Sequence, residues 1–330
     1  MATKKRPQTL DSFFSPPPTK RQKNDNPVQS TESSQHPTYP FPVSHLPPSI
    51  SSALDFAPAT EGTSINNQPD LDLLYFQPYL PPDTSKQLFH FLRSNLFFYR
   101  VRYTIKRGPT ETLINTPRYT TVYGVDETSK FGPEGTLLDA QTSQPVPSNR
   151  YKCRPRPIPQ CLDALRRVTE GSTSNTYNFC LVNYYANGSD SISYHSDDER
   201  FLGTEPAIAS FSFGGRRDFL MKHKPADPNS VNGDQTKESS GDVKETKPLK
   251  LPLASGDMIL MRGRTQANWL HSIPKRKGGE SDMGRINITF RKAMVRGGTE
   301  NYYQYNVGSG EPHKWDEAKN DMVVWQKGST

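Results

Sequence analysis

Short apolar and alternating segments, separated by turn residues, fill the second half of the chain and predict β-strands. The clearest are Asn178 to Tyr185, Ala207 to Phe213, Asp218 to Lys222, Met258 to Met261, Trp269 to Ile273 and Ile286 to Arg291. Many short strands of this kind are typical of a double-stranded β-helix, or jelly roll. We therefore predict a mostly β fold with flanking helices, of the α+β class.

Two helices are predicted before these strands. The first begins at Asp83 or Thr84, because Gln87 completes a capping-box spacing with Thr84. Its apolar stripe consists of Leu88, Phe91, Leu92 and Leu96. The second follows Pro159 and stops at Gly171. Its apolar face consists of Leu162, Leu165 and Val168.

Polar stretches divide the chain into three parts. Twelve of its 30 prolines fall within residues 1–69, among Ser, Thr, Gln and Asn, so this segment has too little apolar surface to offset its ordering entropy. We predict a disordered tail over residues 1–68, a folded domain over 69–298 and a C-terminal extension over 299–330. A further polar stretch, about 224–248, is predicted to be a disordered insertion in a hairpin.

The composition limits the class of protein. The chain has 330 residues, a net charge of +7 and a pI of about 9.1, which favours a polyanionic partner. Its cysteines, Cys153, Cys161 and Cys180, form no Cys-x-x-Cys pair and argue against a zinc or disulfide framework. No apolar stretch approaches the length that spans a bilayer. We expect a soluble, intracellular monomer without membrane contact.

His195, Asp197 and His271 are the strongest candidate metal ligands. Two imidazoles and one carboxylate are the ligand set of non-haem Fe(II) oxygenases, which leaves part of the ion open for an oxidising cosubstrate. Residues i and i+2 of a strand face the same way, so His195 and Asp197 at a strand end can reach one ion. The alternative is a turn with a solvated Asp-Asp-Glu run.

Arg285 and Arg291 supply a second signal, because residues six apart on a strand lie on one side. The apolar residues between them are Ile286, Ile288 and Phe290, and the polar ones are Asn287 and Thr289. This alternation points the polar groups to one face. The alternative, a basic surface strand, would not require such an alternation. Each arginine can hold one carboxylate of a small dicarboxylic acid. With the metal set, this indicates an Fe(II)- and 2-oxoglutarate-dependent dioxygenase.

Several motifs stand in a characteristic order along the chain. They are Asn183-Tyr184-Tyr185, His195-Ser196-Asp197-Asp198-Glu199, Ile208-Ala209-Ser210-Phe211-Ser212-Phe213-Gly214, His271 and Arg285-Ile286-Asn287-Ile288-Thr289-Phe290-Arg291. In order and spacing they resemble the AlkB family of alkylation-repair dioxygenases, with its eukaryotic nuclear members closest, over about residues 69 to 298. The resemblance implies oxidative demethylation of 1-methyladenine and 3-methylcytosine in DNA. Fe(II), O2 and 2-oxoglutarate would be used, and formaldehyde, CO2 and succinate released, in direct-reversal DNA repair.

The resemblance also implies roles for individual residues. The three candidate ligands would hold Fe(II). The residues that would bind 2-oxoglutarate are Asn183, Tyr185, Arg285, Asn287, Thr289 and Arg291. Among these, Arg285 with Tyr185 is expected to hold the distal carboxylate. Arg291 with Asn183 is expected to serve the carboxylate at the metal.

A methyl group on the pairing edge of a base is hidden in a duplex, so the base must flip out. By resemblance, Asp198 and Glu199 face the lesion, where an acidic group suits a methylated base that carries positive charge. One segment resembles the family's substrate-recognition lid, and another corresponds to the finger that probes the duplex; an exposed basic strand is the alternative for the finger. The lid contributes Arg118, Tyr123 and Gly124, and the finger contributes Val101, Arg102 and Tyr103.

Basic clusters in the N-terminal tail predict import into the nucleus, with a merely solubilising tail as the alternative. They are Lys4-Lys5-Arg6 and Lys20-Arg21-Gln22-Lys23. Between them, residues 7–14 resemble the peptide by which repair and replication proteins bind the sliding clamp. Leu10, Phe13 and Phe14 would enter its apolar pocket. The sequence departs from that peptide at Pro7, where a glutamine is usual.

Two other classes of function stay open. One is the same iron chemistry on another substrate, such as methylated RNA or protein, since RNA and DNA members share the core and differ in their loops. The other is a non-catalytic nucleic-acid-binding module. The complete set of metal and cosubstrate positions disfavours the second.

Overall fold

The computed structural model describes residues 32–197, 199–225, 246–295 and 310–328. Its helices are α1 (Pro48–Leu54), α2 (Pro82–Asn95), α3 (Gln160–Thr173) and α4 (Thr265–Asn268). The strands of the first half are β1 (Ser33–Ser34), β2 (Val43–Ser44), β3 (Thr63–Ile65), β4 (Leu73–Phe76), β5 (Phe98–Tyr99), β6 (Arg102–Arg107), β7 (Thr110–Asn115), β8 (Tyr119–Gly124), β9 (Ser129–Phe131) and β10 (Leu137–Asp139). Those of the second half are β11 (Phe179–Tyr185), β12 (Ile192–His195), β13 (Ile208–Gly214), β14 (Arg217–His223), β15 (Leu249–Leu253), β16 (Met258–Met261), β17 (Trp269–Ile273), β18 (Arg285–Arg291), β19 (Pro312–Asp316) and β20 (Asp321–Val324).

Antiparallel pairing arranges most of these strands into one large and one small sheet. The large sheet has ten strands in the order β20-β19-β5-β8-β11-β18-β13-β16-β4-β3, and the small sheet has four in the order β12-β17-β14-β15. Side chains from both sheets line one shared cavity. Two sheets that enclose a common interior are the arrangement of a jelly roll. The predicted mostly β jelly roll is confirmed.

The strand predictions are confirmed for all the segments named from the apolar pattern. The bounds of β16 and β17 are as predicted, and those of β11, β13, β14 and β18 differ by one residue at one or both ends. The pattern did not mark the hairpin β6–β7, in which most described side chains of β7 are exposed. A strand without a buried face has no apolar alternation to detect.

Both predicted helices are present, but their ends differ from the prediction. α2 begins at Pro82 with no side-chain cap, so the predicted capping box at Thr84 is wrong. A proline in the first turn already has the helical φ and no N–H that needs a cap. α3 runs past Gly171 to Thr173, and its C-cap residue Ser174 takes the left-handed conformation with φ 55°. Gly171 is therefore an interior helix residue and not the stop.

The predicted disorder of residues 1–68 is wrong for residues 32–68. The core residues from this segment are Tyr39, Val43, Leu46, Ile50 and Leu54. The segment is tied to the start of α3, because Gln160 Oε1 accepts a hydrogen bond of 2.9 Å from the Leu46 backbone N–H. Widely spaced apolar residues between prolines thus bury enough surface on the domain to order the chain. Residues 1–31 lie outside the described part.

The predicted insertion, about 224–248, lies between His223, which ends β14, and Leu249, which begins β15. Residues 226–245 lie outside the described part.

The predicted boundary at residue 298 changes. The C-terminal extension contributes β19 and β20 to the large sheet. Trp315 of β19 is buried, with its ring centre 3.8 Å from the Arg93 guanidinium carbon. The folded domain therefore includes residues 310–328. None of the described helices is long and apolar enough to cross a membrane.

Candidate metal and cosubstrate site

A cavity of about 120 Å³ lies between the two sheets. Strands β11 and β18 contribute its wall from the large sheet, and β12, β14 and β17 contribute from the small sheet. The sequence-predicted residues that line it are Arg118, Asn183, Tyr185, His195, Asp197, Glu199, His271, Arg285, Asn287, Thr289 and Arg291. All the predicted metal and cosubstrate residues are thus brought to one place.

Cross-strand pairing gathers the three metal-ligand candidates. His195 ends β12 and stands directly opposite His271 of β17, with 4.2 Å between their ring centres. Asp197, two residues past the strand end, places Oδ1 3.9 Å from His195 Nε2. One ligand atom from each residue falls within 4.8 Å of the others. Two nitrogen donors and one oxygen donor therefore converge as a facial triad requires.

The electrostatics of the triad suit a divalent cation. His195 Nδ1 lies 2.9 Å from the Ser193 carbonyl oxygen, which can only accept, so Nδ1 donates and Nε2 of the neutral ring keeps its lone pair. Burial lowers the pKa of His271 to about 3, and nearby His195 adds to the effect, so the His271 imidazole is neutral at pH 7. Burial alone would raise the pKa of Asp197, but the Arg291 guanidinium, together with the nearby His271 and His195 side chains, outweighs burial and holds this pKa well below its usual range. Asp197 is therefore an anion beside two imidazole nitrogens, a donor set that fits Fe(II).

Two neighbours hold Asp197 in place, one through its carboxylate and one through its backbone N–H. Arg291 Nη2 donates to Asp197 Oδ2 at 2.6 Å, and both side chains are buried. Gln266 of α4 accepts a hydrogen bond of 2.9 Å from the Asp197 backbone N–H through its Oε1. Arg291, which the sequence assigned to the cosubstrate, therefore also holds a metal-ligand candidate. Sequence reasoning missed Gln266, because a single glutamine in a short helical turn has no spacing signal.

Arg285 lies at the other end of the same strand as Arg291 and is only 2% exposed. Its Nη2 donates to Ser212 Oγ at 2.7 Å, whereas its buried Nε and Nη1 meet no acceptor in the described part of the chain. The Tyr185 ring centre lies 5.3 Å from its guanidinium carbon. Burial lowers the pKa of Arg285 to about 10, which leaves the group cationic at pH 7. A buried cation with unused donors fits a carboxylate ligand.

The wall between the two arginines is held by side-chain hydrogen bonds. Asn287 Nδ2 donates to Ser210 Oγ at 3.0 Å and to the Phe211 carbonyl at 2.8 Å. Thr289 Oγ1 donates to the Leu181 carbonyl at 3.1 Å. Asn287 and Thr289 therefore fix the shape of the cavity wall.

Asn183 lies on the neighbouring strand β11 and faces the same cavity. Its Oδ1 accepts hydrogen bonds from Thr120 Oγ1 at 2.9 Å and from Arg118 Nε at 3.2 Å. Arg118, predicted as a substrate contact, is thereby held at the cavity by a predicted cosubstrate residue. Glu199 also lines the cavity and is partly exposed. Asp198 lies outside the described residues.

The predicted contact of Tyr123 with a base is wrong. Tyr123 is fully buried, and its ring packs against Phe97 at 5.5 Å and Tyr39 at 6.1 Å. Thr120 of the same strand lines the cavity. Side chains alternate between the two faces of a strand, so a residue three positions from Thr120 points away from the cavity into the core.

Gly124 ends β8 and has a structural role instead of the predicted substrate contact. Its φ is +100°, and a Cβ atom there would lie 2.1 Å from the Asn178 carbonyl oxygen. We expect Gly124→Ala to lower the free energy of unfolding by at least about 1–3 kcal/mol, through backbone strain and the clash. Gly171→Ala is the matched control, because that helical position has open space and should gain about 0.5–1 kcal/mol. Chemical denaturation measures both changes, and an unaltered Gly124→Ala stability would contradict the assigned geometry.

The predicted finger segment begins the hairpin β6–β7, which forms a two-stranded sheet of its own. Val101 is only 7% exposed, so its predicted contact with a duplex is wrong for this conformation. Arg102 is exposed, and the backbone of Tyr103 pairs with Ile114. The finger role of Arg102 and Tyr103 stays a prediction. The predicted clamp-binding residues Leu10, Phe13 and Phe14 lie outside the described part of the chain.

Comparison with known proteins gives a family match and several similar curated proteins. Residues 72–291, more than half of the chain, match the family model described as the 2OG-Fe(II) oxygenase superfamily. A mouse protein named alpha-ketoglutarate-dependent dioxygenase alkB homolog 3 is 40% identical over 161 residues, which are 48% of this chain and 52% of that one. Proteins named DNA oxidative demethylase ALKBH2 are also similar. The one from Arabidopsis thaliana is 39% identical over 146 residues, 42% of this chain and 44% of its own, and the human one is 37% identical over 141 residues, 43% and 49%.

The matched region spans about half the length of these curated relatives. The family-model match, residues 72–291, includes His195, Asp197 and His271 and both buried arginines, Arg285 and Arg291. The family match, the sheet arrangement and the donor set agree with one another. The chain belongs to the 2OG-Fe(II) oxygenase superfamily.

Proposed function

We propose that this protein is an Fe(II)- and 2-oxoglutarate-dependent dioxygenase that removes methyl groups from N-alkylated bases of DNA. The observation that carries the proposal is one cavity with a metal-ligand triad at one end and a buried arginine with unused donors at the other. Some of the similar proteins are named DNA oxidative demethylase, and this name supports DNA as the substrate.

The residues of the cavity divide the work of binding. His195, Asp197 and His271 hold Fe(II) through two nitrogens and one oxygen. Arg285 binds the distal carboxylate of 2-oxoglutarate, because its Nε and Nη1 are buried, cationic and without an acceptor in the described chain. Arg291 keeps the Asp197 carboxylate oriented. The cosubstrate is thereby aligned between the metal and Arg285.

When bound, Fe(II) with 2-oxoglutarate and O2 supplies the oxidation of the N-methyl carbon. The products would be succinate and CO2 from 2-oxoglutarate, and formaldehyde from the methyl group. The chain's own contribution is to bind, to orient and to exclude water from this cavity.

A negative charge in the cavity suits a methylated base. 1-Methyladenine and 3-methylcytosine carry positive charge, and the Glu199 carboxylate lines the cavity near the metal ligands. The exposed side chain of Arg102 on the hairpin β6–β7 suits contact with phosphates. A flipped base can then enter the cavity while its backbone stays outside.

The proposal is tested with matched oligonucleotides that contain one 1-methyladenine as single-stranded DNA, duplex DNA or RNA. We expect conversion to adenine in DNA, measured by mass spectrometry. Conversion in RNA alone would replace the proposed substrate with RNA and keep the chemistry. No conversion in any of the three, by iron-loaded protein with 2-oxoglutarate, would contradict the proposed function.

We further propose that the N-terminal tail directs the protein to the nucleus and binds the sliding clamp. Deletion of residues 1–24 should leave activity on short oligonucleotides unchanged, because the metal and cosubstrate residues all lie between Asn183 and Arg291, and should abolish nuclear accumulation. A segment that binds a partner at the site of damage raises the effective concentration of the enzyme near its lesion.

Phe13→Ala with Phe14→Ala separates the two roles of the tail, because it removes the apolar anchors and keeps every basic residue. Calorimetric titration of a peptide from Lys4 to Lys20 against the clamp should show binding that this double substitution removes. Equal binding by both peptides, or binding by neither, would leave only the import role.

A further inference from the structure

Arg217 is a buried arginine that the sequence motifs did not mark. It begins β14, is 1% exposed and ranks among the largest fully buried side chains. Its guanidinium donates to three backbone carbonyls, those of Asn187 at 3.3 Å, Asp190 at 2.7 Å and Pro274 at 2.7 Å. A charged side chain buried on backbone carbonyls carries a desolvation cost, which calls for an explanation.

The three carbonyls belong to segments that carry the site. Asn187 and Asp190 lie in the loop between β11, which ends at Tyr185, and β12, which ends at His195. Pro274 follows directly after β17, which contains His271. One guanidinium therefore joins the end of the cosubstrate strand to the strands of both histidine ligands.

Arg217 also adds positive charge beside Tyr185. Its guanidinium carbon lies 5.7 Å from the Tyr185 ring centre, and that of Arg285 lies 5.3 Å from the same centre. Arg217 Nε is buried and has no acceptor in the described part of the chain. Burial lowers the pKa of both arginines, and each is a cation near the other. The two cations repel each other; Asp190 and Asp218 offset part of this repulsion at Arg217, and an anion bound at Arg285 would offset more.

We propose that Arg217 is a positioning residue that sets the affinity of the cavity for the dicarboxylic cosubstrate. It orients Tyr185 and strengthens the positive potential at the Arg285 end of the cavity. Cosubstrate contact remains with Arg285, since Arg217 does not line the cavity. This inference rests on the proposed function, because it assumes that 2-oxoglutarate is the anion bound there. The competing explanation is a purely structural clamp on the β11–β12 loop and the segment after β17.

The test compares Arg217→Gln and Arg217→Lys with Arg276→Gln. Arg276 is the matched control, because it is a half-exposed arginine that bridges Asp218 in the same region, at 2.5 Å. We expect Arg217→Gln to raise the KM for 2-oxoglutarate about tenfold, the effect of one lost favourable charge interaction. The KM for the methylated oligonucleotide and kcat at saturating 2-oxoglutarate should stay within about twofold of wild type. Arg217→Lys keeps the charge and should recover part of the loss.

A binding readout without turnover separates the explanations. In Mn(II)-loaded protein, 2-oxoglutarate should raise the Tm of wild type and of Arg276→Gln, and raise it less for Arg217→Gln at equal concentration. A structural clamp predicts a lower Tm for the free variant with an unchanged dependence on 2-oxoglutarate, which would overturn the inference. If Arg217→Gln does not fold, Arg217→Lys carries the same comparison, and an unchanged 2-oxoglutarate dependence of that variant overturns it. If wild type itself shows no response to 2-oxoglutarate, the proposed function fails instead.

Discussion

Asp197→Ala is expected to abolish 2-oxoglutarate turnover and leave a folded protein, and His195→Ala and His271→Ala should do the same. Each substitution removes one ligand atom from a group whose members lie within 4.8 Å of one another. Loss of a supporting residue behind a ligand already costs about 10–100-fold in metal affinity or activity, so loss of the ligand itself should exceed about 100-fold. The fold should persist, because its core consists mainly of buried apolar side chains.

Succinate release under saturating iron measures this first effect, and the Tm reports folding. His90→Ala is the matched control, because His90 is an exposed histidine on α2 that does not line the cavity. It should keep wild-type turnover. Wild-type protein that still turns over after complete iron removal would contradict the metal assignment.

Arg285→Ala is expected to raise the concentration of 2-oxoglutarate that the enzyme requires far more than that of nucleic acid. Arg285 is buried, and two of its nitrogens have no acceptor in the described chain, so they are available to the cosubstrate carboxylate. Removal of one partner of a buried charge pair costs about 3–5 kcal/mol, which corresponds to about 100-fold or more in affinity. Arg285→Lys keeps the charge but not the paired donors, and should recover part of the affinity.

Separate titrations of 2-oxoglutarate and of the methylated oligonucleotide distinguish the two requirements. Arg276→Ala removes an arginine from the surface ion pair with Asp218 and should change neither titration. An unchanged 2-oxoglutarate dependence of Arg285→Ala would mean that the cosubstrate carboxylate binds elsewhere.

The sequence predicted the site well where strand periodicity and chemistry coincide. Alternation along β18 placed Arg285 and Arg291 on one face, and the structure brings both to the cavity. His195 and Asp197 also converge as predicted, although Asp197 lies two residues past the end of β12 and is held by Arg291 and Gln266. His271 is far along the chain from them, and the antiparallel register that places it opposite His195 is a tertiary property.

The same periodicity shows why other predictions were wrong. Tyr123 was chosen by its position in a motif, but the face of β8 on which it lies is the core face. Arg217 and Gln266 act on backbone groups of distant segments, and such contacts leave no local pattern. Residues 32–68 were judged by average composition, whereas a few apolar side chains such as Val43 and Ile50 decide whether the segment is buried.

The most direct test of the central claim is a stoichiometry measurement on one 1-methyladenine oligonucleotide, with iron, O2 and 2-oxoglutarate supplied. Adenine restored, formaldehyde and succinate are quantified together for wild type and for Asp197→Ala. We expect one formaldehyde and about one succinate per adenine restored by wild type, because one oxidation removes one methyl group, and none of the three products from Asp197→Ala. Adenine restored without formaldehyde, or equal repair by Asp197→Ala, would contradict the assignment of this cavity as an oxidative demethylase site.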